Sequence, residues 1–158
     1  MNEPLCSIAR ALDVVGTRST MLLLREAFYG TRRFDDFARR AEVTEQVTAI
    51  RLKALVRDGL LDRVPYQDAG KRTRSEYRLT GKGRELYPVL VALMQWGDSH
   101  VPAPTGVPVR LVHPGCGATV GVSVRCEAGH ELTPQQVSAL PGPGLPDVLA
   151  DRVRAPTT

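Results

Sequence analysis

Four side chains in the last third of the chain are of the types that bind a soft divalent metal. They lie in "VRLVHPGCGATVGVSVRCEAGHEL", residues 109 to 132, with the spacing H-x2-C-x9-C-x3-H. Thiolate sulfur and imidazole nitrogen are the usual ligands of tetrahedral zinc. A hairpin that brought the two pairs together would therefore complete a zinc site from His113, Cys116, Cys126 and His130. Two alternatives stay open: thiols packed across strands as small apolar groups, or a disulfide formed on oxidation.

A third thiol, Cys6, lies in "NEPLCSIAR" near the start of the first expected helix. The positive end of a helix dipole favours thiolate, and Arg10 lies one helical turn further on. The pattern predicts a thiol that responds to oxidants or electrophiles, and the alternative is a buried cysteine acting as a small apolar residue. Three widely spaced cysteines do not resemble a disulfide framework, so we expect reduced thiols.

The basic residues indicate a polyanionic partner. Residues 1 to 100 contain 17 Lys and Arg against 13 Asp and Glu, whereas residues 101 to 158 contain four of each. Within residues 32 to 84 the ratio is 14 to 8. Such a local excess raises affinity for phosphates through counterion release. The alternative is a solvated charged face.

Hydrophobic periodicity predicts the elements that carry these charges. Apolar residues at helical spacing predict helices over residues 4 to 15, 18 to 29 and 33 to 41, and a fourth that follows Thr44 and ends near Gly59. "LLDRVPY" and "RSEYRL" then alternate as two strands around the loop "QDAGKRT". A long final helix begins at Thr80, with a kink at Pro88.

This order of elements is that of a winged helix-turn-helix, in which one helix enters the DNA major groove and a basic wing follows phosphates. Arg51 could bind guanine and Gln46 adenine, although Arg51 could instead close a salt bridge inside the domain. The wing arginines and lysine would contact phosphate, unless the hairpin tip is merely solvated. The predicted DNA-binding residues are Thr44, Glu45, Gln46, Thr48, Ala49, Arg51, Lys71, Arg72 and Arg74.

Proline marks a domain boundary, since nine of the 12 prolines follow residue 100 and "VPAPTGVPV" cannot continue a helix. We expect a DNA-binding and dimerisation domain over residues 1 to 100, a linker over 101 to 108, a small module over 109 to 140 and an irregular tail over 141 to 158. The predicted fold class is mainly α (α+β): a winged helix-turn-helix domain with a two-stranded wing, plus a small zinc-ribbon-like C-terminal β-hairpin.

The same residues carry a family resemblance. The segments "LDVVG", "LLLRE", "RLKALVRDGL" and "EYRLT", with an early cysteine and a closing "WG", occur in the order found in the HxlR-type bacterial winged-helix regulators. The resemblance runs from Cys6 to Gly97. It departs at Ser19, where the family usually has tryptophan, and at Thr48, where it usually has an apolar residue. Longer members similarly carry a Cys-rich hairpin near the C-terminus, although with a second Cys-x-x-Cys.

The resemblance implies a homodimeric transcription regulator, expected to be a repressor, whose two recognition helices read a pseudo-palindrome. It also implies that the first and last helices form the dimer, and some members sense oxidants or carbonyls through a cysteine in the first helix. The broad apolar face of the last helix indicates an interface independently. The alternative is that this face packs on the chain's own tail.

Other functions are less consistent with the residues. No glycine-rich phosphate loop or nucleophile with a base assembles, so we expect no enzyme and no required cofactor, with zinc as the one candidate ion. A winged helix turned into a protein-interaction module, with a metal-stabilised hairpin, is the alternative function. The longest apolar run, from Met21 to Leu24, is too short to span a bilayer, so the expected location is the cytoplasm, away from membranes.

Overall fold

The computed structural model describes residues 5–67, 74–146 and 148. The described elements run in the order α1 (Ser7–Val15), α2 (Arg18–Phe28), α3 (Phe34–Ala41), α4 (Glu45–Arg57), β1 (Leu61–Tyr66), β2 (Arg74–Leu79), α5 (Gly81–Arg84) and α6 (Tyr87–His100). A 3-10 turn, Pro134–Gln136, follows in the C-terminal segment. Helices followed by a two-stranded antiparallel sheet confirm the predicted mainly helical α+β class and the wing.

Helix α2 is the centre of the hydrophobic core. It begins at Thr17, whose hydroxyl accepts a hydrogen bond from the Thr20 amide at 3.2 Å and so satisfies one of the free amides of the first turn. Leu23 and Leu24 are completely buried, and they pack with Phe37 of α3 and Leu52 of α4. The core therefore fixes α3 and α4 relative to α2.

A tight turn joins α3 to α4. Glu42 ends α3 in the left-handed conformation, with φ of 53° and ψ of 44°, which reverses the chain within a few residues. Thr44 then caps α4 by accepting a hydrogen bond from the Val47 amide at 3.4 Å. Both helices keep a buried stripe against α2, and they form the helix-turn-helix that the sequence predicted.

The wing pairs Leu61 with Leu79 at its base and Tyr66 with Arg74 at the end of the described ladder. A third chain segment joins it: Arg33 forms a bridge to Glu76, and the Tyr77 amide donates to the Arg32 carbonyl at 2.8 Å. The start of α3 is therefore hydrogen-bonded to the wing.

The long final helix that the sequence predicted is divided in two. Helix α5 ends at Arg84, and α6 begins at Tyr87 with Pro88 in its first turn. Proline lacks the amide that would continue the hydrogen-bond ladder but fits the first turn of a helix. The prediction of a kink at Pro88 was therefore wrong, because the residue starts a new helix. Gly83 allows α5 to approach the wing closely, since a Cβ there would lie 2.1 Å from the Leu60 carbonyl oxygen.

The C-terminal segment contains no single hairpin. Two separate turns are each closed by an isolated bridge, Val112 with Thr119 and Arg125 with Glu131. The segment is joined to α6 by Gln95, whose side-chain oxygen accepts a hydrogen bond from the Val122 amide at 2.7 Å. The described residues therefore do not show the zinc-ribbon-like hairpin predicted over residues 109 to 140, and that module stays a prediction.

Candidate nucleic-acid interface

The N-terminal end of α4 is exposed to solvent. Glu45, Gln46 and Ala49 are exposed, and Thr44 is exposed while its hydroxyl caps the helix. These residues were predicted to face DNA, and the structure places them together at one end of α4. Glu45 also lies in the first turn, where a carboxylate interacts favourably with the helix dipole. The arrangement leaves one polar helical surface free to approach a partner.

Thr48 does not belong to that surface. Its side chain is completely buried, and its hydroxyl donates to the Val43 carbonyl at 3.5 Å. Residues 48, 52 and 55 share one face of an α-helix, and Leu52 and Leu55 are core residues. The prediction that Thr48 contacts DNA is therefore corrected. The family resemblance already indicated a buried position, because the family usually has an apolar residue here.

Arg51 lies at the boundary between the exposed and the buried face of α4. Its side chain is half-buried, and its Nε has no hydrogen-bond partner among the described residues. The internal salt bridge considered as an alternative is also not seen in that part of the chain. A buried donor without a partner is unusual, since such groups are normally paired. Because this Nε atom is itself buried, only the terminal nitrogens of the guanidinium could reach a base edge or a phosphate.

The part of the wing that the structure describes brings a basic side chain close to the start of α3. Arg74 is exposed, and its Nη1 lies 3.9 Å from the Asp35 carboxylate. Lys71 and Arg72, the other two predicted wing residues, lie outside the described residues. Only Arg74 can therefore be placed, at the pair that ends the described ladder.

Two arginines missed by the sequence analysis lie beside Arg74. Arg33, Arg63 and Arg74 line the same concavity, of about 360 Å³, between the wing and the start of α3. The Arg33 guanidinium stacks over the Tyr66 ring, 4.9 Å from its centroid. Their separation in sequence hid the cluster, although the paired arginines of "TRRF" were a signal that could have drawn attention to it.

A buried carboxylate holds the helix-turn-helix to α2. The Glu26 side chain is 5% exposed and accepts hydrogen bonds from the neighbouring Arg25 at 2.7 and 3.0 Å. It also lies 3.6 Å from Arg40 in α3 and 3.4 Å from the Thr31 hydroxyl. Because two guanidinium groups and a hydroxyl surround it, the charge is compensated. The network couples the position of α3 to the core helix.

Among the described residues, a few groups near the surface have a shifted pKa. At the end of α4, the hydrogen bond from Arg57 holds the pKa of Asp58 below its usual value. Burial raises the pKa of the Tyr29 phenol.

Cys6 is exposed in the single chain and forms the N-cap of α1 without a side-chain hydrogen bond to the helix. Its predicted neighbour Arg10 donates to the Leu5 carbonyl at 3.1 Å and to the Ser7 hydroxyl at 3.0 Å. The thiol is therefore accessible to reagents. The alternative of a cysteine buried inside its own domain does not describe this structure.

The four predicted zinc ligands come together only as two pairs. Nδ1 of His113 lies 3.3 Å from the Cys116 sulfur, and Nδ1 of His130 lies 3.5 Å from the Cys126 sulfur. Each pair belongs to its own bridged turn. Within residues 5–67, 74–146 and 148, no group of three or more potential ligands is close enough to hold a metal ion. The described residues therefore do not bring the four predicted ligands together, and the zinc site stays a prediction.

Apolar side chains on α1 and α6 remain uncovered. Ile8 and Leu12 of α1 are 70% and 56% exposed, and Leu93 and Trp96 of α6 are 54% and 60% exposed. Large apolar side chains exposed along two helices indicate an interface. No helix in the described part of the chain is long and apolar enough to cross a membrane.

Comparisons with known proteins agree with this geometry. The sequence profile of the HxlR-like helix-turn-helix family matches residues 14–104, more than half of the chain. An uncharacterized HTH-type transcriptional regulator of Mycobacterium tuberculosis is 46% identical over 145 residues, which cover 91% of this chain and 90% of that protein. The similarity therefore extends past the helix-turn-helix into the C-terminal segment.

Solved structures show the same architecture. The crystal structure of PA1607, described as a proposed transcription factor, superposes with a TM-score of 0.76 at 39% identity and covers 85% of this chain and 94% of its own. The redox regulator HypR in its reduced form matches with a TM-score of 0.55 at 29% identity, over 61% of this chain and 94% of its own.

Proposed function

This chain belongs to the HxlR-like helix-turn-helix family, and on that premise we propose that it regulates transcription by reading a specific duplex DNA sequence. The observation that carries the proposal is the exposed N-terminal end of α4, where Glu45, Gln46 and Ala49 lie at the surface. A helix with polar side chains at its N-terminal end is what reads base edges in the major groove. The proposed activity needs no catalytic step and no cofactor.

We propose that the chain acts as a homodimer. The support is the uncovered apolar surface of α1 and α6, including Ile8 and Trp96, which a second copy of the same surface would remove from water. Two-fold symmetry would place the two α4 helices about one DNA turn apart, roughly 34 Å. The operator would then be a pseudo-palindrome. Analytical ultracentrifugation should find a dimer that Trp96→Glu converts to monomer.

Repression in the cytoplasm is the proposed regulatory effect. A dimer seated on a promoter blocks access by occupancy alone, so the effect requires no contact with the transcription machinery. The specificity of such a site depends on differential affinity for DNA sequences rather than on an additional activity. A reporter gene under the chain's own promoter should become more active when the regulator is deleted, whereas lower expression would indicate activation.

We also propose that oxidants or electrophiles control DNA binding through Cys6. Two observations support this: the thiol is exposed at the start of α1, beside the proposed dimer surface, and a structural relative is described as a redox regulator. An adduct at Cys6 would shift the two α1 helices and change the spacing of the recognition helices. Treatment with a quinone, hypochlorite or an aldehyde should release DNA from the wild type but not from Cys6→Ser. Equal release in both would assign sensing to another residue.

The test of DNA reading begins with footprinting upstream of the chain's own gene and its neighbours. Substituting Gln46→Ala or Arg51→Ala should each cost about 1 to 3 kcal/mol of discrimination at one base position. Arg57→Ala is the matched control, since Arg57 lies at the far end of α4 and pairs with Asp58. If the variants bind specific and random DNA with the same relative loss, while remaining folded, the base-reading role is wrong.

A further inference from the structure

A cleft separates α6 from the C-terminal segment. Its two halves are cavities of about 360 and 390 Å³, of which the first faces residues 107 to 120 and the second faces α2. Met94, Asp98 and Val109 line both cavities, so the two halves meet at these side chains. Each half has the volume of a small-molecule site.

One face of α6 forms the first wall of the cleft. Val91, Met94 and Asp98 follow one another at intervals of three and four residues, so they lie on the same side of the helix. Leu93 and Trp96, which belong to the proposed dimer surface, lie on the other side. The cleft is therefore separate from the surface assigned to the dimer.

The C-terminal segment supplies the second wall. Gln95 joins it to α6, because its side-chain oxygen accepts a hydrogen bond from the Val122 amide at 2.7 Å. Leu111 and Val120 are half-buried and line the first cavity. The Val120 amide donates to the Leu111 carbonyl at 2.8 Å, so the backbone holds these two apolar residues side by side.

A half-buried carboxylate lies where the two cavities meet. The Asp98 side chain forms no hydrogen bond or ion pair within the part of the chain that the structure describes. Tyr29 of α2 lines the second cavity with it. Burial raises the pKa of Tyr29, and the charge of Asp98 adds a smaller contribution in the same direction. A partly desolvated carboxylate without a partner favours a cation beside it.

The other charged residues that line the cleft do not supply that cation. Arg25 is bonded to the Glu26 carboxylate at 2.7 and 3.0 Å, so these two charges compensate each other. Arg110 lines the first cavity, but its side chain is exposed and forms no ion pair among the described residues. Water screens an exposed guanidinium, whereas Asp98 keeps its charge inside the cleft.

We propose that this cleft binds an amphipathic organic cation, whose charged group pairs with Asp98 and whose apolar body lies against Leu111 and Val120. An ammonium group can donate a charge-assisted hydrogen bond to the carboxylate. The Tyr29 ring offers a cation–π contact in the same cavity. Removing the apolar body from water supplies further affinity. The inference goes beyond the proposed function, since this binding requires no DNA.

Three probes with the same phenylbutyl body separate the effect of charge from that of shape. Phenylbutylammonium, phenylbutanol and phenylbutanoate are cationic, neutral and anionic at neutral pH, and the ammonium should bind the wild-type chain most tightly. Asp98→Asn should weaken binding of the ammonium about tenfold, through loss of a charge-assisted hydrogen bond, and leave the affinity for the alcohol unchanged. Glu127→Gln, which removes an exposed carboxylate outside the cleft, is the control with wild-type affinities.

NMR of isotope-labelled methionine methyl groups locates the probe and measures its affinity. The chain contains three methionines, of which Met94 lines both cavities and Met21 packs against the core. Titration with the ammonium should shift the Met94 signal, identified by its loss in Met94→Leu, and leave the Met21 signal in place. An unchanged Met94 signal at saturation would place the probe elsewhere and overturn the site.

The probe series also decides the chemical class of the ligand. Equal affinity of the wild type for the ammonium and the alcohol would show that Asp98 does not select a charge, and tighter binding of phenylbutanoate would assign the selectivity to Arg110. Either result overturns the proposal, and neither depends on the folding of a variant. Equal weakening of the ammonium and the alcohol by Asp98→Asn would also contradict it. Because the titrations contain no DNA, the inference can fail while the proposed function stands.

Discussion

The winged-helix domain and the C-terminal segment differ in what holds them together. All the buried apolar side chains of the described chain lie between Val15 and Val91. From residue 101 to residue 146 none of the described side chains is buried, and Val124 is 63% exposed. The first region has a core that fixes its helices, whereas the second has two bridged turns and a hydrogen bond to Gln95 of α6. Substitutions should therefore affect the two regions very differently.

The largest difference is expected from removing an apolar side chain in each region. Leu52 is completely buried, so Leu52→Ala removes transfer free energy and leaves a cavity, at a cost of about 2 to 5 kcal/mol of unfolding free energy. Val124→Ala, at an exposed position, should change it by no more than about 0.5 kcal/mol. Urea denaturation followed by circular dichroism measures both. Comparable losses would show that the C-terminal segment belongs to the same cooperative core.

The next comparison concerns acidic residues that bind arginine. Glu26→Gln would leave Arg25 and Arg40 beside a neutral buried amide, and we expect a loss of about 1 to 3 kcal/mol. Glu131 also binds an arginine, Arg125, at 2.6 Å, but both side chains are mostly exposed. Its replacement by glutamine should therefore be nearly neutral. Equal destabilisation by the two substitutions, measured by the urea midpoint, would contradict this difference in burial.

A smaller effect is expected from removing one threonine cap in each region, Thr80 in the domain and Thr133 in the C-terminal segment. The Thr80 hydroxyl accepts from the Gly83 amide at 3.0 Å and donates to the Gly59 carbonyl at 2.7 Å, so it ties α5 to the wing. Thr80→Ala should cost about 1 kcal/mol. Thr133→Ala removes a cap from the short turn at Pro134 and should leave the thermal midpoint unchanged. A shift of that midpoint in the Thr133 variant would show that the turn unfolds with the domain.

The smallest effect is expected from lowering the pH. The Arg57 hydrogen bond lowers the pKa of Asp58 in the folded protein, so the stabilisation is present above the usual pKa of 3.8 and is lost as the pH falls through the lower folded value. Asp58→Asn should therefore flatten the fall in stability below about pH 4. Arg125 lowers the pKa of Glu131 similarly, but Glu131→Gln should leave the pH dependence of global unfolding unchanged. A matching change in both variants would indicate coupled regions.

The difference between the two regions also explains how much of the fold could be predicted from the sequence. Periodicity identified α2, α3 and α4 because each buries a stripe in one core, as Leu23, Phe37 and Leu52 show. The wing was predicted from the alternation in its two strands and from the basic loop between them. The break before Pro88 was missed, since a proline within an apolar pattern is compatible with either a kink or a new helix.

Sequence reasoning was less successful where the structure depends on contacts between distant residues. The C-terminal turns were predicted as one hairpin because strand-like valines surround them, yet no core selects that pairing. Thr48 was a different error, because its spacing of four residues from Leu52 in the same helix already placed it inside. The arginine cluster between the wing and the start of α3 was missed because Arg33 and Arg63 meet only through the fold.

Binding of the full chain to DNA as a function of salt is the most direct test of the central claim that the α4 and wing surface reads duplex DNA. Fluorescence anisotropy would compare the footprinted site with a random duplex between roughly 50 and 200 mM salt. We predict that log K falls linearly with log salt concentration on both duplexes. The affinity should fall by about 10³ to 10⁵ over this range if six to ten phosphates are contacted. The footprinted site should bind about 10³-fold tighter or more. Equal affinity for both sequences, or binding that does not depend on salt, would contradict the account.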